Sequence, residues 1–263
     1  MCAHGPYGTA PTARAARPTG GTMTRRLVAL AALVAALAFG VSAYAYQAEA
    51  VVDGGTIAGT VRYAGKPPKP ERVEITKDIG VCGAEPHYSE ALIVGADGGI
   101  KYAVVTLKDI EKGEPIKPVE VKFDQKGCEY HPHVIALPAG GTVDIINSDG
   151  ILHNVHTESK ANPPFNLAQP GFKRLIRKKL DKPDLIEVSC DVHNWMRGWW
   201  YVAASPYYAV TDAAGHYTIS NVPPGTYTLQ VWQETLGTRE RKVDVKPGKT
   251  VTVDFELSAK TNK

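Results

Sequence analysis

Cys190-Asp191-Val192-His193-Asn194-Trp195-Met196 places a thiol, an imidazole and a thioether within seven residues. These are the soft and borderline donors that copper favours. A Cys-x2-His-x2-Met run supplies three of the four ligands of a site built from two histidines, a cysteine and a distant methionine. The missing imidazole must come from another strand upstream. Asn147-Ser148-Asp149-Gly150-Ile151-Leu152-His153-Asn154-Val155-His156 offers His153, directly before an Asn-Val pair.

An Asn-containing turn running into His-Asn-Val, followed some tens of residues later by Cys-x2-His-x2-Met, resembles the cupredoxins. The short ligand spacing is most similar to amicyanin and its pseudoazurin and plastocyanin relatives. The likeness covers residues 119 to 204. It implies a Greek-key β-sandwich holding one type 1 (blue) copper, with His153, Cys190 and His193 as equatorial ligands and Met196 as the axial one. It also implies that Asn154 braces the ligand loops by hydrogen bonding. Asn194 departs from the family, in which proline is common at that place. The function implied is an electron carrier without substrate turnover of its own, serving a redox protein partner such as a cytochrome or a dehydrogenase.

Composition points the same way. Beyond the first 45 residues the chain has a single methionine, Met196, and it falls at the axial place. Cys82, Cys128 and Cys190 remain in that part, and three cysteines cannot all pair within one molecule. An oxidising compartment tolerates two as a disulfide and one protected by a metal, so a Cys82–Cys128 bridge is expected beside Cys190 as ligand. Cys190 with His193 alone would also suit a nucleophilic thiol, but that chemistry requires neither Met196 nor His153. Zinc would accept the cysteine and histidines and gain nothing from a thioether.

The first 45 residues read as a leader. Met23-Thr24-Arg25-Arg26 opens a charged region, Leu27 to Val41 is apolar, and Ala43-Tyr44-Ala45 is a small-x-small cleavage site, so 23–45 is expected to be a signal peptide. Residues 1–22 read as a non-native N-terminal extension before the true start at Met23. The apolar run is shorter than the roughly 20 residues a spanning helix needs, so no stable membrane span is expected after cleavage, and the location is periplasmic or secreted. Removing the leader takes away Arg14, Arg17, Arg25 and Arg26 and no acids, leaving 26 basic against 27 acidic side chains. Such a balance excludes the strongly basic footprint that nucleic acid demands. Locally, Lys173, Arg174, Arg177, Lys178 and Lys179 form either a solvated strand or a patch that steers an acidic redox partner.

Short stretches rich in β-branched and aromatic residues, punctuated by Gly and Pro, predict an all-β chain of two sandwiches. The expected strands are 56–63, 100–107, 119–123, 142–146, 185–190, 199–204, 217–220, 226–232 and 250–257. Thr211-Asp212-Ala213-Ala214-Gly215-His216-Tyr217 and Val222-Pro223-Pro224-Gly225-Thr226-Tyr227 resemble the carboxypeptidase regulatory-like (transthyretin-like) sandwich, with hairpin turns expected at Asp-x-x-Gly and Pro-Pro-Gly. The expected division is a β segment at 51–115, a copper domain at 116–204 and a regulatory-like sandwich at 205–258, the first and last sharing one sandwich. Two consecutive sandwiches preceded by an unrelated N-terminal segment are the alternative.

Among the other histidines, His156 is expected to face away from the site, an odd offset from His153 in a strand. His131 and His133 would share a strand face, either as a second metal site or as packing residues beside Cys128. His87 and His216 read as surface residues, and Trp195, Trp199 and Ile151 as an apolar surround for the metal. Besides electron transfer, the sequence admits a copper storage or delivery protein, or a structural module with a vestigial metal site. A lone methionine in the mature part argues against the second of these.

Overall fold

The computed structural model of the protein describes residues 46–259, so the expected extension (1–22) and signal peptide (23–45) lie outside the described residues. The chain runs β1 (Gln47–Ala48), β2 (Gly55–Tyr63), the single turn α1 (Ile79–Cys82), β3 (Val104–Lys108) and β4 (Lys112–Gly113). Next come β5 (Glu120–Lys126), β6 (Glu129–His131), β7 (Val134–Pro138), β8 (Gly141–Asn147), β9 (His153–Glu158) and β10 (Asn166–Gln169). They are followed by β11 (Leu175–Leu180), β12 (Asp184–Ser189), β13 (Arg197–Ala203) and β14 (Tyr208–Val210). The chain closes with β15 (His216–Val222), β16 (Gly225–Gln233), β17 (Gly237–Val245), β18 (Thr250–Thr252) and β19 (Phe255–Leu257).

The expected all-β class holds, with two sandwiches. In the first, a five-stranded sheet β10-β9-β12-β13-β7 faces a four-stranded sheet β11-β8-β5-β6. Period-two alternation decides which side chains go inward: Val143, Ile145 and Asn147 of β8 point into the core, and so do Trp200 and Val202 of β13. They meet Phe123, Tyr130, Leu137, Val155, Ile186 and Val188. Each such apolar side chain withdrawn from water contributes about 1.5–3 kcal/mol. In the second sandwich, β14-β3-β16-β17 faces a sheet in which β2 lies between β15 on one side and β18 and β19 on the other. Ile57, Val61, Val105, Leu229, Val231, Tyr217 and Phe255 fill its core.

The two sandwiches meet around Glu234 in the β16–β17 turn. Its carboxylate accepts a hydrogen bond from Trp199 Nε1 at 2.8 Å and also engages His133 Nε2, while Trp199 and Trp232 stack edge to face at 5.1 Å.

Several readings of the sequence change here. The strand expected over 100–107 begins only at Val104, and the one expected over 250–257 breaks at Val253–Asp254 into β18 and β19. The Asp212–Gly215 and Pro223–Pro224 turns do not close hairpins. Each carries the chain from one sheet of the sandwich to the other, because β14 pairs with β3, β15 with β2 and β16 with β3. The hairpin of this sandwich is β16–β17, closed by Gln233, whose Oε1 accepts from Thr235 N and Leu236 N, and by Gly237 at φ +76°. Segment 51–115 is also divided. β2 and β3 lie in the second sandwich, whereas Ile75 and Cys82 pack on the core of the first.

Candidate metal centre

The ligand candidates come together because β9 pairs with β12 and β12 with β13. Register Ser189↔His156 sets the start of β9 beside the end of β12, and Ser189↔Arg197 closes residues 190–196 into a loop between two paired strands. Inside that loop Cys190 N donates to Met196 O at 3.2 Å and Met196 N to His193 O at 2.9 Å. His153 opens β9 and Cys190 directly follows β12.

His153 and His193 are 0% exposed, and Cys190 and Met196 are 1% exposed. The imidazoles turn Nδ1 toward each other at 3.0 Å, and Cys190 Sγ lies 3.8 Å from His193 Nδ1. One donor atom from each of His153, Cys190 and His193 falls within 4.8 Å of the others. Met196 is buried in the core cluster that contains Cys190. Asp149 and Asp78, neither singled out by sequence, engage the outer ring nitrogens: His153 Nε2 sits 2.8 Å from Asp149 Oδ2 and His193 Nε2 2.9 Å from Asp78 Oδ2. Asp149 Oδ1 and Oδ2 are themselves fixed by Gly127 N and by Cys128 N at 2.8 Å.

This donor set fits a soft cation. With both Nε2–H groups donated outward to carboxylates, both Nδ1 atoms would present bare lone pairs to each other at 3.0 Å. Only a proton or a metal ion between them relieves that repulsion. Ligating histidines held by a carboxylate at the far nitrogen have their ring orientation fixed in the same way. Burial alone would lower the His153 pKa, but the Asp149 carboxylate and Cys190 outweigh it and hold it up at about 9. Burial likewise pushes the Cys190 thiol up, and hydrogen bonds from His153 and the backbone N–H groups of Asn154, His193 and Val192 bring it below its usual value. His193 is lowered, by burial first and by the neighbouring His153 charge, against the opposing Asp78 carboxylate.

Asn154 ties the two ligand segments. Its Oδ1 accepts from Asp191 N at 2.6 Å and Val192 N at 3.2 Å, its Nδ2 donates to Asn166 Oδ1 at 2.7 Å, and its backbone N–H donates to Cys190 Sγ at 3.4 Å. Trp195 packs its ring 5.1 Å from that of His193 and donates Nε1–H to Cys128 O at 3.1 Å. Ile151 packs on the same core. Trp199 does not surround the site, since it is engaged at the junction of the sandwiches.

The remaining histidines separate. His156 pairs with Asp191 at 3.0 Å on the exposed side of β9. His131 and His133 share no site: His131 is exposed near Lys126 O, and His133 is buried against Glu234. His87 is not a surface residue. It is buried with Nδ1 3.0 Å from Glu129 Oε1, because segment 71–90 folds over the first sandwich. Cys82 and Cys128 are bonded to each other, S–S 1.97 Å, so their sulfurs beside His193 make a disulfide and no metal site. Most of the basic run is engaged locally: Arg177 with Asp144, Arg174 with Asn147 O, Lys179 with Asp181, and Lys178 over the Phe165 ring.

Residues 202–258 match the family model of the carboxypeptidase regulatory-like domain. No curated protein matches the chain. Among solved structures, the chain is similar to the Cu-containing nitrite reductase of Thermus scotoductus SA-01 (24% identity, TM-score 0.30), over 34% of this chain and 24% of that one. It thus spans about a quarter of that reductase. It is also similar to a reduced amicyanin variant (21% identity, TM-score 0.29), over 32% of this chain and 82% of that one. A purple cupredoxin from Nitrosopumilus maritimus is similar at 18% identity and TM-score 0.27, over 32% of this chain and 99% of that one.

Proposed function

We propose that this chain is an exported type 1 copper protein that carries single electrons between redox partners. The observation that carries the reading is the convergence of His153 Nδ1, His193 Nδ1 and Cys190 Sγ in a buried pocket. Met196, the sole methionine beyond the leader, packs in the same core. Copper held by His153, Cys190, His193 and Met196 would supply a one-electron couple. The protein's own part is to hold those side chains still. Two paired strands fix Cys190 and the loop after it, Asn154 locks that loop to β9, and burial keeps water from the donors. A site pre-set between the preferences of the two oxidation states changes charge with little atomic movement.

The reading assigns no turnover to the chain. The partner is a redox protein, a cytochrome or a dehydrogenase. The charged, apolar and small-x-small run of residues 23–45 supports export to the periplasm or beyond the cell, and among the described residues no helix is long and apolar enough to cross a membrane. Copper titration of the purified mature protein tests the proposal. An intense thiolate-to-copper band that bleaches on reduction and disappears in Cys190→Ser is the expected outcome. Colourless copper binding, or none, overturns it.

A further inference from the structure

Segment 71–89 is a strap closed at its base by the Arg72↔Tyr88 bridge and the bonds Val73 N to His87 O (3.0 Å) and Ser89 N to Glu71 O (2.9 Å). At its tip α1 makes one turn, ending in Cys82 and preceded by Asp78. Asp78 adopts a left-handed backbone, φ 49° and ψ 41°, which side-chain-bearing residues rarely occupy. Aspartate before a helix ordinarily turns its carboxylate onto the first-turn N–H groups. Here the side chain makes no such bond, and Oδ2 lies 2.9 Å from His193 Nε2 instead. The carboxylate is thus turned toward His193 and away from the helix it precedes.

Cys128 ties the strap to the rest of the site. Its sulfur bonds Cys82, four residues from Asp78, and its backbone N–H donates to Asp149 Oδ2, the atom that engages His153 Nε2. Both carboxylates that orient the histidines therefore trace back to one residue.

We propose that Asp78 is a positioning residue for the metal centre, fixing His193 with Nε2–H outward and Nδ1 toward Cys190, and that the Cys82–Cys128 bridge holds Asp78 there. The inference rests on the copper reading for its use, but its first test needs no metal. In metal-free protein labelled with 15N, imidazole spectra report which ring nitrogen carries hydrogen. His193 is expected as the Nε2–H form in the wild type and in Asp78→Asn, whose amide oxygen still accepts. Asp78→Gly suits the left-handed backbone and removes the acceptor, so it is expected to lose that preference.

Chelator competition with Cu(II) is expected to show Asp78→Gly weakened roughly ten- to a hundredfold, the usual consequence of losing a carboxylate behind a ligating histidine, with Asp78→Asn between it and the wild type. Replacing both bridge cysteines (Cys82→Ser with Cys128→Ser) is expected to act as Asp78→Gly does, and adding Asp78→Gly to that pair is expected to add nothing. A His193 tautomer and copper affinity unchanged in Asp78→Gly overturn the proposal, as do additive losses in the triple variant. If the bridge variant does not fold, Asp78→Gly decides alone. Failure of the wild type to bind copper would sink the functional reading and leave the tautomer result standing.

Discussion

Asn154 joins the two segments that carry the candidate ligands. Its side chain satisfies two backbone N–H groups of the loop after β12 and reaches Asn166 in β10. Asn154→Ala leaves those part-buried donors without their acceptor, which costs about 1 kcal/mol. The expected outcome is a lower midpoint in denaturant and a copper affinity reduced roughly ten- to a hundredfold, read by tryptophan fluorescence and chelator competition. At this scale the sequence is informative where spacing is short. Cys190, His193 and Met196 lie within one loop, and Asn154 adjoins His153. Asp149 was within reach of inspection, four residues before His153. Asp78 was not: it lies 115 residues from His193 and only the fold brings them together.

Among the elements, β12 depends on its first residue. Asp184 Oδ2 accepts from Ser159 Oγ (2.6 Å), Ala161 N (2.8 Å), Lys160 N (3.0 Å) and Asn162 N (3.3 Å), and Oδ1 accepts from Leu185 N (2.9 Å). This bundle pins the 159–162 turn to the strand that delivers Cys190. Partial burial would raise the Asp184 carboxyl, but the Ser159 hydroxyl and the backbone N–H groups outweigh it and hold it at about 2. The folded value lies below the unfolded value of about 3.9. The stabilisation is therefore complete above that value and is lost as pH falls toward about 2. Asp184→Asn is expected to flatten the pH dependence of unfolding in that window, and Asp184→Ala to lower stability by about 1–3 kcal/mol at neutral pH, both measured by denaturant melts.

Strand identity was legible wherever alternation was regular, as in β8, β13 and β16. Besides the shortest strands, β7, β9, β10, β11 and β17 were missed. His153-Asn154-Val155-His156 and the basic run of β11 owe their extended form to pairing with β12 and β8, not to intrinsic preference.

For the molecule as a whole, the junction of the sandwiches rests on few polar contacts. Glu234→Ala removes the acceptor of both Trp199 Nε1 and His133. Two polar groups shielded from water then lose their partner, a cost of about 1–3 kcal/mol. Calorimetry is expected to show a lower transition temperature, with the two sandwiches unfolding less cooperatively than in the wild type. Two sandwiches were readable from composition and turn residues. Hairpin order was not, because Pro-Pro-Gly and Asp-x-x-Gly mark a reversal without saying which sheet receives the next strand.

β2, near the start of the described chain, is flanked by β15 on one side and by β18 and β19 on the other. Its neighbours thus leave the ribosome well after it does. Until they arrive, Gly55–Tyr63 has both backbone edges bare, a template for adhesion to other chains. A nonsense codon or proteolytic cut between residues 197 and 215 spares His153, Cys190, His193 and Met196 and still leaves that template uncovered. Aggregation of the shortened product, read by light scattering, is then the expected outcome.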